Sequence, residues 1–97
     1  MEPNGILEQI SVEMDEIRNR FAVKDLWLFG SAIRGELSGA SDVDVLVEYD
    51  GAATFDRYMD LKFFLEDLLG RKVDLVTRNG LRPRMRPSIE SEAVRVA

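Results

Sequence analysis

Two short apolar runs bracket a polar turn, and that bracket most limits what this chain can fold into. Leu26-Trp27-Leu28-Phe29 ends on Gly30-Ser31. Ten residues later, Asp42-Val43-Asp44 opens a second run, Val45-Leu46-Val47. Apolar runs this short, closed off by Gly, Ser and Asp, read as strands. Side chains at i and i+2 of a strand share a face. Asp42 and Asp44 therefore point one way, and Val43, Val45 and Val47 the other way, into a core. The second strand then runs over residues 43–49, with its two acids at the rim of a cleft.

Two adjacent carboxylates repel unless a cation lies between them. Hydrated Mg²⁺ is the usual partner, because it pairs one or two carboxylates with substrate phosphates. The pair alone carries little, since nine Asp in 97 residues give about one Asp-x-Asp by chance. Alone, it reads as a solvated acidic edge. Gly30 lets the backbone turn sharply or approach a ligand closely. Ser31 stands where a short helix would begin, and free N–H groups there favour phosphate. Alone, Gly-Ser reads as an ordinary strand-to-helix turn. The two together, at this spacing, suit a metal-bound nucleoside triphosphate.

The flanking chain reads as scaffold. Residues 4–21 form an amphipathic helix with Leu7, Ile10, Met14, Ile17 and Phe21 on one stripe and Asn4 as its cap. Residues 25–29 form a strand covered on both faces, with Trp27 packed in the core. Residues 31–36 make a short helix or turn carrying Arg34, which meets either the phosphates or an acidic neighbour in a structural ion pair. Thr54 caps a helix reaching Leu69, and Gly70 closes it in the left-handed conformation. That helix has a wide apolar face, from Phe55 to Leu69, fit to pack on a sheet and to meet a partner. Residues 72–77 form a third strand in which Asp74 faces away from Val73 and Leu75. If this strand lies beside 43–49, Asp74 joins the acidic pair. Pro83 fits a first helical turn, with Met85, Ile89 and Ala93 facing the core, but Pro87 requires that helix to start later or kink.

The stretch at residues 28–47 resembles the minimal nucleotidyltransferases of the DNA polymerase beta superfamily, whose signature is Gly-Ser, ten residues, Asp-x-Asp. Arg34-Gly35-Glu36, the Ser41 before Asp42, and Lys72-Val73-Asp74-Leu75-Val76 extend the match, and residues 81–94 resemble the family's closing helix. The resemblance implies a single domain over residues 1–97 with an α/β (α+β) fold, a small mixed sheet flanked by helices and similar to the polymerase beta palm. It implies that Gly30, Ser31 and Arg34 bind the nucleotide. Asp42, Asp44 and Asp74 would be the catalytic residues, binding two Mg²⁺ ions, with ATP as substrate. Proteins of this type are commonly paired with a HEPN-family toxin, which they bind and adenylylate on a tyrosine as antitoxins. The rival expectations are a non-catalytic binding module and a subunit of a small-molecule nucleotidyltransferase.

Composition narrows the class. The chain has no Cys and no His, which excludes disulfides, thiolate chemistry and Ser-His-Asp triads. Apolar runs of four or five residues fit no membrane span, and the N-terminal residues have no signal-peptide pattern. A cytoplasmic protein is expected. Net charge is −5, divided as −9 over residues 1–70 and +4 over 71–97. An acidic chain is a poor generic nucleic-acid binder. The basic tail could meet ATP phosphates, an acidic partner, or the acidic part of a second copy in a homo-oligomer.

Overall fold

The computed structural model describes residues 3–30, 33 and 42–96. Helices α1 (Pro3–Ser11) and α2 (Met14–Phe21) lead into strand β1 (Val23–Phe29). Strand β2 (Val43–Tyr49), helix α3 (Phe55–Leu69) and strand β3 (Val73–Thr77) follow. A 3₁₀ turn at Arg78–Gly80, helix α4 (Arg86–Glu92) and strand β4 (Val94–Arg95) complete the chain. The sheet order is β3-β2-β1-β4. β1 pairs antiparallel with both β2 and β4, and β2 pairs parallel with β3. The parallel pair needs a long crossover, which α3 supplies. This is the mixed sheet expected from the sequence, with one more strand. Among the described residues, no helix is long and apolar enough to cross a membrane.

One face of the sheet is the core. Leu26, Leu28, Val43, Val45, Val47, Val73 and Leu75 are buried against Ile6, Ile10, Ile17, Leu61 and Leu65 of the helices. The opposite face carries Asp25, Trp27 and Phe29 on β1, Asp44, Leu46 and Glu48 on β2, and Asp74 and Val76 on β3. β1 is therefore fully covered on one face and only partly on the other, where Trp27 is half-buried outside the core. The pairing shifts register between Val23 and Asp25. That irregularity lets Val23 enter the core even though Asp25, Trp27 and Phe29 lie on the other face.

The single N-terminal helix expected from the apolar stripe is two helices. The Glu13 N–H reaches back three residues to the Ile10 carbonyl (3.0 Å), a tighter turn that breaks the helix. The break keeps Ile10 and Met14 both in the core, while Val12 is 76% exposed. Ile6, rather than Leu7, starts the fully buried stripe. α1 begins at Pro3, so Asn4 lies inside its first turn rather than capping it.

α3 follows its sequence signals closely. The Thr54 hydroxyl accepts the Arg57 N–H (3.2 Å), and Gly70, at φ 64°, donates to the Glu66 carbonyl. Its buried stripe, Leu61, Leu65 and Leu69, is narrower than expected: Phe55 and Phe63 point outward, 75% and 54% exposed. The Tyr58 hydroxyl donates to the Leu75 carbonyl (2.6 Å) and the Glu66 carboxylate accepts the Val73 N–H (3.0 Å), fastening α3 to β3.

The closing segment takes one of the two courses Pro87 allowed, a later helix start, and departs from expectation at its two ends. Residues 83–85 form a turn, and α4 starts at Arg86 with Pro87 in its first turn. Pro87 lacks an N–H and fits only there, so Pro83 is not the helix start and Met85 is 48% exposed. Ala93 leaves the helix, and β4 pairs along β1, burying Val96 to 5% exposure.

Candidate active site

The acidic residues sit where the sheet places them. Phe29 on β1 pairs with Asp44 on β2, and Asp44 pairs with Asp74 on β3. Adjacent strands lie about 4.8 Å apart, so Asp44 and Asp74 are direct neighbours on the face opposite the core. Asp44 is half-buried and Asp74 exposed. Asp42 lies immediately before β2, exposed, and the next residue anchors the strand by donating its N–H to the Lys72 carbonyl (2.9 Å). Asp74 was expected beside the acidic pair if β3 neighbours β2, and the two strands are neighbours, with Asp74 opposite Asp44.

Gly30 abuts Asp44. Its φ is +67°, a conformation L side chains rarely adopt, and a Cβ there would collide with an Asp44 carboxylate oxygen. The β1 end thus turns tightly over the carboxylate. The Gly30 N–H donates to the Glu92 carboxylate (3.1 Å), and its carbonyl accepts the Ile33 N–H (3.1 Å). Ser31 and Arg34 lie outside the described residues, as does the rest of the short helix expected at 31–36 apart from Ile33. The loop at 38–41 lies outside them too.

Glu92 was not among the residues singled out from the sequence. It lies 62 positions from Gly30, and no local pattern links them. A second cluster was equally hidden. Arg78 donates to Glu48 (3.2 Å) and Glu90 (2.8 Å), and its guanidinium lies 5.5 Å from the Trp27 ring centre. The hydrogen bond to Glu90 raises the Arg78 pKa and holds it cationic. This network fastens α4 over the Trp27–Leu46 part of the sheet, leaving a cavity of about 90 Å³ lined by Trp27, Leu46, Arg78, Glu90 and Ala93. It is well below the ~300 Å³ of small-molecule pockets. A larger cavity, about 450 Å³, lies between α2 and α3 and is lined by Phe21, Phe63, Phe64 and charged residues. It is on the helical side of the sheet, away from Asp44.

Among the described residues, no three acidic side chains converge into a preformed metal cage. The donor set nonetheless suits Mg²⁺. Asp44 and Asp74 are hard oxygen donors held side by side, one of them open to solvent, and Mg²⁺ keeps waters and phosphates beside one or two carboxylates. Chemically, the arrangement offers a carboxylate pair next to a tight backbone turn.

A family model for the nucleotidyltransferase domain matches residues 7–96. The protein adenylyltransferase MntA of Thermococcus cleftensis is 36% identical over 87 residues, 90% of this chain and 88% of that protein. A solved structure assigned as a minimal nucleotidyltransferase has a TM-score of 0.82 at 34% identity, covering 97% of this chain and 95% of that one. A chain from the complex of a tri-AMPylated Shewanella oneidensis HEPN toxin with MNT antitoxin shares the fold at a TM-score of 0.68 and 15% identity, over 94% of this chain and 71% of that one. With the Gly30 turn set against Asp44, and Asp44 in register with Asp74, the chain belongs to the nucleotidyltransferase domain family, among its minimal members.

Proposed function

We propose that this protein transfers AMP from ATP to a hydroxyl acceptor, a tyrosine of a cognate HEPN toxin, and so acts as an antitoxin. The observation that carries the reading is the register of Asp44 with Asp74 beside the Gly30 turn. Support for the acceptor comes from relatives named as protein adenylyltransferases and from the fold shared with a chain of an AMPylated toxin–antitoxin complex.

In this reading Gly30, Ser31 and Arg34 bind the triphosphate and set its α-phosphate over the carboxylates. Asp42, Asp44 and Asp74 would hold two Mg²⁺ ions, which would supply charge stabilisation for the attacking and departing oxygens. Asp74, the most open of the strand-borne acids, accepts the proton of the attacking hydroxyl. The acceptor oxygen bonds to the α-phosphorus, the bond to the bridging oxygen breaks, and pyrophosphate leaves. Positioning and charge stabilisation carry nearly all of such a reaction, so the lack of His is no obstacle. The outward Phe55 and Phe63 of α3 are the apolar surface offered to the toxin.

The test is transfer of label from α-labelled ATP, with Mg²⁺, to a co-purified partner, read by gel and mass spectrometry. Label should appear on a partner tyrosine and fall at least about a hundredfold in Asp42→Asn/Asp44→Asn. A double variant that still silences the partner fully would leave neutralisation to binding alone.

A further inference from the structure

We propose that Glu92 is a positioning residue for the carboxylate site, a strut that holds the Gly30 turn against Asp44. The inference rests on the transfer reading above for its kinetic consequence, but its structural content stands separately.

The tertiary fold delivers Glu92 to the turn. β4 pairs antiparallel with β1, Val94 opposite Leu28 and Arg95 opposite Trp27. The Val96 N–H extends the same register onto the Leu26 carbonyl (2.8 Å). Continuing that register two residues the other way places Glu92 opposite Gly30, where its carboxylate accepts the Gly30 N–H at 3.1 Å. A carboxylate accepting a backbone N–H makes a charge-assisted bond, stronger than a neutral one. The position is poor for the helix itself. Glu92 is the last residue of α4, and negative charge at a helix C-terminus opposes the dipole. Helix stability therefore does not account for an acid there, and the bond to Gly30 gives the carboxylate a structural role.

Gly30 has little freedom to spare. Its left-handed conformation brings the backbone against the Asp44 carboxylate, with no room for a Cβ. Loss of the strut lets the turn swing away and removes the wall that limits Asp44. Glu92 acts through an accepted hydrogen bond, so an amide oxygen at the same place can substitute for it.

Glu92→Ala and Glu92→Gln separate this role from others. Amide hydrogen exchange at Gly30, followed by ¹⁵N NMR on the ligand-free protein, should accelerate about tenfold in Glu92→Ala and stay near wild type in Glu92→Gln. In the transfer assay kcat should fall about tenfold or more in Glu92→Ala, with a smaller change in the KM for ATP, and Glu92→Gln should stay within about threefold of wild type. Unchanged Gly30 exchange in Glu92→Ala would overturn the strut. So would a Glu92→Gln protein as impaired as Glu92→Ala, because then the charge and not the acceptor matters. A wild-type protein that transfers no AMP sinks the transfer reading instead, and the Gly30 amide alone then decides the strut.

Discussion

At the scale of single residues, Gly30 and Tyr49 show how neighbours far along the chain decide what a side chain does. A glycine before Ser31 is compatible with any tight turn. What makes it obligatory is the Asp44 carboxylate in the space a Cβ would need. Tyr49 ends β2 in the core, 9% exposed, and its hydroxyl has no hydrogen-bond partner among the described residues. Burial, helped by nearby Tyr58 and opposed by Arg57, pushes its pKa up from 10.0 to about 12. The sign of the pH effect follows. Below pH 10 the phenol is neutral in both the folded and the unfolded chain. Between pH 10 and about 12 only the unfolded chain ionises, so stability falls as pH rises, by up to about 3 kcal/mol. Tyr49→Phe should therefore gain about 1 kcal/mol at pH 7 by removing an unpaired hydroxyl, and should lose less stability between pH 10 and 12. Urea unfolding at pH 7 and in alkaline buffer checks both; a variant as alkali-sensitive as the wild type would refute the assignment.

Secondary-structure elements differ in how far local signals govern them. α3 has a Thr cap at one end, a left-handed Gly at the other, and four-residue spacing of Leu61, Leu65 and Leu69 between them, so its limits could be read directly. Thr54→Ala should cost about 1 kcal/mol, because the Arg57 N–H loses its acceptor. The same urea midpoint, or the helical signal in circular dichroism, measures it, and no change would mean the cap is idle. β2 was legible for a similar reason, since alternation assigns Val43, Val45 and Val47 to the core. α4 was not. It is seven residues long, its start is set by Pro87, and its placement depends on Arg78 reaching Glu90 and Glu48 from another part of the chain. The α1–α2 break was also invisible, because an unbroken helix and two short ones share nearly the same apolar stripe.

Among the described residues the molecule is a four-strand sheet with helices α1 to α3 on one face and Asp44 and Asp74 on the other, which α4 only partly covers. β4 joins the two sides: Val96 enters the core, Arg95 pairs with Asp25 (2.7 Å), and the residues before it lead to Glu92. A chain ending at Ala93 should lose about 2–3 kcal/mol, mostly from Val96 burial, since exposed ion pairs contribute little. Its urea midpoint should drop accordingly, and an unchanged midpoint would show that β4 is dispensable. The sequence alone determined strands β1 to β3 and α3, the face on which the valines of β2 and Asp44 and Asp74 fall, and the Gly-Ser and Asp-x-Asp signature of the family. These follow from periods of two and of three to four residues and from caps, all carried by neighbours in the chain. Only the tertiary structure decided that Asp74 stands beside Asp44, that Gly30 is closed off by that carboxylate, that Trp27 lies outside the core under Arg78, and that Glu92 reaches across 62 positions to the turn. Strand order and register join residues that no sequence spacing relates, so contacts across the sheet exist only once it has formed.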